Sequence, residues 1–188
     1  MRRKHRFIWG IVLGIALVGS SAFGQPTIET LREALEISTY PSETQPPAFA
    51  GHTATGQAVS LDALHGRVVL LTFWATWCAE CRPEMPLFER LHRDFAAQGL
   101  TVLGINFQEE KQTIQAYAKA LDLTFSLVLD SHGTITRSYG VIGLPTTILI
   151  GRDGRSAALA VGPRDWGSDP ARSLIQALLA EPVVDKQK

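Results

Sequence analysis

Cysteine is nearly absent from this chain. Its 188 residues hold two, Cys78 and Cys81, both inside Trp77-Cys78-Ala79-Glu80-Cys81. A structural zinc site usually takes four Cys or His ligands, and the five histidines are scattered with no pair at ligand spacing, so a zinc fold is poorly served. An inert disulfide would close so short a ring that it removes little unfolded-chain entropy. Excess charge is also lacking: 18 basic side chains face 18 acidic ones, and nothing in that balance suggests a nucleic-acid partner. Beyond residue 48 there is no internal repeat and no low-complexity run.

What is present is a redox-competent arrangement. The cysteines follow the apolar, β-branched run Val68-Val69-Leu70-Leu71-Thr72-Phe73-Trp74. Cysteines at i and i+3 in the first turn of a helix share a face, close enough for a disulfide, and the free N–H groups there stabilise a thiolate. Cys78, the outer residue, is expected to carry the lowered thiolate pKa. Cys81, one turn deeper, is expected to be the resolving thiol.

The N-terminus reads as an address. Arg2, Arg3, Lys4 and Arg6 form a basic region, residues 7–18 are apolar, and Ser20-Ser21-Ala22-Phe23-Gly24 offers a small-residue cleavage site. Residues 7–23 are 17 uncharged positions, at the lower limit for a membrane span. The pattern is compatible with cleavage after Gly24 or with a retained single-span anchor. In both cases the basic end stays cytoplasmic and the rest is exported, into the periplasm or anchored to the inner membrane facing it. Without residues 1–24 the charge becomes fourteen basic against eighteen acidic side chains. Residues 25–47 read as a short amphipathic helix (27–37) and a proline-rich linker, residues 48–182 as one folded domain, and 183–188 as a polar tail.

Within that domain strand and helix patterns alternate. Strands are expected at 58–61, 68–74, 100–107 and 125–129, and helices at 78–98, 111–121, 134–139 and 169–179. Segments 146–150 and 157–161 flank Asp153-Gly154 and read as an antiparallel hairpin. The fold class is therefore α/β, a mixed sheet flanked by helices.

Phe73-Trp74-Ala75-Thr76-Trp77-Cys78-Ala79-Glu80-Cys81-Arg82-Pro83-Glu84-Met85-Pro86, with the later Gly143-Leu144-Pro145-Thr146-Thr147, resembles the thioredoxin superfamily. More narrowly it resembles the exported TlpA/ResA-like thiol-disulfide oxidoreductases, over roughly residues 46–180 and including the Gly-x-x-Val-x-Leu approach at Gly56 to Leu61. The resemblance implies a thioredoxin fold with that branch's central helix–strand insertion (111–129) and N-terminal strand extension. It implies Cys78 as the attacking cysteine, Cys81 as the resolving one, Pro86 as a helix-kinking proline and Pro145 as a cis-proline facing the cysteines. Trp77, Leu144, Pro145 and Thr146 would form the substrate-binding surface, with the Leu144 backbone pairing to an extended substrate segment. No cofactor is implied beyond the redox-active Cys78–Cys81 disulfide, and no metal. Partners would be substrate proteins with disulfides or thiols and a membrane thiol electron donor, since exported compartments oxidise thiols. Apocytochrome c is one substrate class among similar proteins.

Two acids qualify this picture. Glu84 stands where the ResA-like branch has an acid thought to tune the cysteines or move protons, while Thr72 stands where cytoplasmic thioredoxins have a buried aspartate. Glu84 is either a proton acceptor raised by burial or a solvated first-turn glutamate. Glu80 puts a charge between the cysteines, where at roughly 6–8 Å it would oppose the Cys78 thiolate by about 0.5–2 kcal/mol, comparable to the helix N-terminus. It is therefore expected to tune the potential downward. Two alternatives stand beside disulfide exchange. A peroxiredoxin-like peroxide reductase would want Pro-x-x-x-Thr-x-x-Cys, which Ala75-Thr76-Trp77-Cys78 lacks. A Sco-like copper module would want a wider cysteine spacing and a histidine, for which His132 is the candidate.

Overall fold

The seven-residue run Val68–Trp74 is buried along its whole length, which is why it carries no polar alternation. Val68, Leu70 and Trp74 point to one face of a sheet, and Val69, Leu71 and Phe73 to the other, each into its own apolar cluster. This strand, β3, is the centre of a computed structural model that describes residues 26–39 and 45–183. The signal or anchor segment read at 1–24 lies outside the described residues, as do residues 40–44 of the proline-rich linker and nearly all of the polar tail. Among the described residues no helix is long and apolar enough to cross a membrane.

The order along the chain is α1 (Ile28–Ala34), β1 (Ala50–His52), β2 (Ala58–Ser60), β3, α2 (Glu84–Phe95), β4 (Leu100–Phe107), α3 (Lys111–Ala120), β5 (Ser126–Asp130), α4 (Thr134–Ser138), β6 (Thr146–Ile150), β7 (Ser156–Val161) and α5 (Asp169–Ala180). The five-stranded sheet runs β5-β4-β3-β6-β7. β4 pairs in parallel with both β3 and β5, whereas β6 is antiparallel to β3 and β7. The sheet is mixed, as the alternating pattern implied. One cluster joins α1, α2, α3 and α5 to the sheet through Leu31, Phe88, Ile114 and Leu174; the other holds Phe49, Ile135 and Tyr139 against the opposite face.

Two boundaries differ from the sequence reading. The active-site helix does not start at Cys78: residues 79–83 are turns and α2 begins at Glu84. The cause is Pro83 and Pro86, which lack the N–H groups that would bond the carbonyls of residues 79 and 82. Pro86 thus sits in the first turn of α2, not in its interior, and is not a kink there. The packed unit also begins earlier than residue 48. α1 packs on α5, Leu31, Leu35 and Ile37 are buried, and Ser38 exchanges both backbone hydrogen bonds with Leu159 of β7. The three-residue strand β1, too short to show alternation, pairs with β2.

Candidate functional site

The cysteines lie beyond the C-terminal end of β3, where the chain leaves the sheet, next to the corresponding ends of the parallel strands β4 and β5. They form a disulfide, with Cα atoms 5.3 Å apart. Their environments differ: Cys78 is 7% exposed and Cys81 1%. Cys78 opens into a cleft of about 400 Å³ and is the one of the two that lines it. The Cys81 N–H donates toward Cys78 Sγ at 3.2 Å, so it is a turn amide and not a helix end that supplies the donor expected to favour a thiolate.

Trp77 and Leu144 line the same cleft, with Phe107, Val141 and the outward Ile142. Trp77 is 65% exposed and Ile142 96%, so the rim is apolar and unsheltered, the character of a surface that receives another chain. Pro145 follows Leu144 through a cis peptide bond and is buried, its carbonyl accepting the Gly162 N–H. Thr146 is buried too. Its hydroxyl donates to the Gly143 carbonyl at 2.7 Å and its backbone pairs within the sheet, so it shapes the turn from behind and does not line the cleft. Glu80 is exposed on the turn between the cysteines.

Glu84 lies inside, 2% exposed. Its Oε1 accepts the Arg164 N–H and the Trp166 Nε1–H, each at 2.8 Å, while Oε2 is buried with no protein partner. Burial pushes its pKa up from 4.5 to about 7, against the two hydrogen bonds and the Arg164 charge, which pull it down. The solvated alternative is thereby removed.

Some residues of the site gave no motif. Glu109, just past β4, accepts the Thr76 N–H at 2.7 Å, the Thr76 hydroxyl, and Asn106 Nδ2 at 2.7 Å, and so anchors the strand-to-cysteine loop. Its position at the carboxyl end of a strand beside β3 was the available signal. Arg164 and Trp166 come from a Gly-Pro-Arg-Asp-Trp-Gly turn more than 80 positions from the cysteines, where a tryptophan among turn residues was the hint. His132 is exposed, and among the described residues no cluster of three His, Cys, Asp or Glu side chains is placed to hold a metal ion.

The arrangement can do two-electron disulfide chemistry, with one accessible sulfur, one sheltered sulfur and a protonatable carboxyl buried nearby in sequence. Residues 43–157 match the AhpC/TSA family. The thiol-disulfide oxidoreductase ResA of Bacillus thuringiensis subsp. konkukian is 30% identical over 154 residues, covering 81% of this chain and 86% of that protein. Among solved structures, a putative thiol:disulfide interchange protein DsbE from Chlorobium tepidum superposes with a TM-score of 0.67 at 32% identity, over 72% of this chain and 96% of that one. A secreted thiol-disulfide isomerase from Corynebacterium glutamicum does so with a TM-score of 0.65 at 26% identity, over 77% and 92%. With its paired cysteines, cis-proline and thioredoxin fold, the chain belongs to the AhpC/TSA family and, within it, to the ResA-type thiol-disulfide oxidoreductases.

Proposed function

We propose that this oxidoreductase works outside the cytoplasm as a reductase of disulfides in substrate proteins. The observation that carries the reading is the asymmetry of the pair, Cys78 at the mouth of an apolar cleft and Cys81 sealed behind it. In the reduced protein the Cys78 thiolate attacks one sulfur of a substrate disulfide, forming a mixed disulfide and expelling the substrate's other sulfur as a thiolate, which takes a proton. Cys81 gives up its proton and attacks Cys78 Sγ, releasing the second substrate thiol and closing the Cys78–Cys81 disulfide. Two electrons pass to the substrate and two protons leave the protein's thiols. Glu84, with a pKa near 7, exchanges the proton of the sheltered thiol, because a carboxyl so poised can both take and return it at neutral pH.

Trp77 and Leu144 with the adjoining cis-proline turn receive the substrate chain, and Thr146 holds that turn. Glu80 opposes the Cys78 thiolate and makes the pair more reducing. The export-type N-terminus and a secreted structural relative support the location, and an oxidising compartment then requires a membrane thiol donor to regenerate the dithiol. Apocytochrome c, which presents Cys-x-x-Cys-His, is the substrate class we favour.

An oxidised Cys-x-x-Cys-His peptide tests this. Reduced protein converts it to the dithiol, Cys81→Ser accumulates a mixed disulfide at Cys78, and Cys78→Ser accumulates none. A trap on Cys81, or a peptide left oxidised, overturns the assignment. Hydrogen peroxide consumed faster than peptide would turn the reading to peroxide reduction. A pair found oxidised when trapped in intact cells would turn it to thiol oxidation.

A further inference from the structure

Glu84 is held by a turn that also grips the N-terminal helix. On one side, the Arg164 backbone N–H and Trp166 Nε1–H both donate to Glu84 Oε1. On the other, the Arg164 guanidinium donates through Nε to the Leu35 carbonyl at 2.9 Å and through Nη2 to the Glu36 carbonyl at 2.8 Å, just past the end of α1. Trp166 is 1% exposed and packs on Phe88, one helical turn along α2 from Glu84, with ring centroids 5.7 Å apart. Residues 164–166 therefore join the exit of α1 to the carboxyl by two hydrogen bonds on each side.

We propose that Arg164 and Trp166 are positioning residues for Glu84: they commit Oε1 as the acceptor and leave Oε2 to carry the exchangeable proton, and the Arg164 side chain ties that setting to the docking of α1. The proposal rests on the reading of Glu84 as the group that exchanges the proton of the sheltered thiol. Both hydrogen bonds are made to the charged form and both oppose burial, so removing either favours the protonated carboxyl. The surrounding charges are few. The Arg164 guanidinium is the charge whose field acts on Glu84. Glu80 and Arg82 on the cysteine turn, and Asp165 between the two donors, are exposed, and Cys78 and Cys81 are joined as a disulfide. Farther along α2, Glu89 is engaged by Thr124 and Arg93.

Three variants of the full chain separate the contributions. Trp166→Phe keeps a ring against Phe88 and loses the donor. Arg164→Ala keeps the backbone donor but releases the α1 carbonyls and removes the positive field. Arg164→Lys restores the charge without the two-carbonyl grip. The readouts are the infrared titration of the Glu84 carboxyl, with Glu84→Gln as blank, and the pH profile of disulfide exchange. Trp166→Phe is expected to raise the carboxyl midpoint by about one pH unit, the worth of a hydrogen bond to a charged group. Arg164→Ala raises it by less, and Arg164→Lys falls between Ala and wild type. The exchange profile moves by the same amount in each. Folded variants with a wild-type carboxyl midpoint overturn the proposal. A midpoint that moves while the exchange profile stays fixed upholds the positioning and overturns the role of Glu84 in exchange. Should Trp166→Phe not fold, the two Arg164 variants, changed at a half-buried side chain, decide the question alone.

Discussion

Two glutamates five residues apart on α2 are both buried and shift in opposite directions. Glu84 has two donors on one oxygen and none on the other, and burial wins, giving a pKa of about 7. For Glu89 burial also opposes the charge, but the Thr124 hydroxyl and N–H, Arg93 and the Phe125 N–H together outweigh it and hold the carboxyl below the usual range. The consequences for stability have opposite signs. Folded Glu84 binds its proton more tightly than the unfolded chain does, so its contribution is fully present below pH 4.5 and is lost as pH rises toward 7. That loss amounts to roughly 3 kcal/mol for a shift of this size. Glu89 stabilises above the ordinary carboxylate range, and its contribution disappears as pH falls through its lowered value. Glu84→Gln keeps an oxygen for the Arg164 and Trp166 donors and removes the ionisation. Urea unfolding of the oxidised variant is expected to show a nearly flat stability between pH 5 and 8, where wild type declines, with the acid-side loss retained. An equal decline in the variant would mean that Glu84 titrates normally.

Among the elements, the short helix α4 shows how the cleft wall is built. Asp130, the last residue of β5, accepts the Ile135 N–H at 3.1 Å and the Thr136 N–H and hydroxyl at 2.8 and 2.7 Å, serving as the cap that Gly133 has no side chain to provide. Gly133 itself is at φ 65°, and a Cβ there would meet Phe107 at 2.8 Å, so the turn into α4 accepts only glycine comfortably. Thr136 and Arg137 of this helix line the cleft. Asp130→Ala should therefore cost about 1–3 kcal/mol in chemical denaturation and slow exchange with a peptide more than exchange with a small disulfide. Equal slowing of both would place the effect at the cysteines instead. β3, β4 and α4 were legible in the sequence because an apolar run or a short amphipathic pattern is a local property. The start of α2 is not legible in the same way, because the cysteine spacing points to a helix from Cys78 whereas Pro83 and Pro86 delay it to Glu84. The caps and anchors, Asp130 for α4 and Glu109 for the Thr76 loop, join residues from different elements, and no local period announces them.

For the whole molecule, the main difference between sequence and structure lies in the N-terminal segment. Residues 27–37 read as a helix and 38–47 as a linker ahead of the domain, because proline content is visible locally whereas the docking of Leu31 and Leu35 is not. In the structure both edges of the central sheet are covered from this end of the chain. Ser38 bridges to Leu159 on the outer side of β7, and Thr53 and Ala54 bond along β5 at Val128 and Leu127. Such pairing occupies backbone groups that an open edge would offer to other chains. Arg32 adds a hydrogen bond to the Ala157 carbonyl at 2.9 Å, and Leu31 and Leu35 are 5% and 7% exposed in the core shared with α5. α1 is thus a structural layer whose loss would be felt at a distance. Leu35→Ala removes buried volume at the residue whose carbonyl Arg164 grips. It is expected to cost about 2–4 kcal/mol in urea unfolding, the range for a large-to-small core change. A solvated linker helix would lose under about 0.5 kcal/mol from the same substitution. Hydrogen exchange should then quicken at two places together, the Leu159 amide on β7 and the Arg164 amide above Glu84. Faster exchange confined to α1 would show that the helix docks without bearing on the sheet edge or on the Glu84 carboxyl.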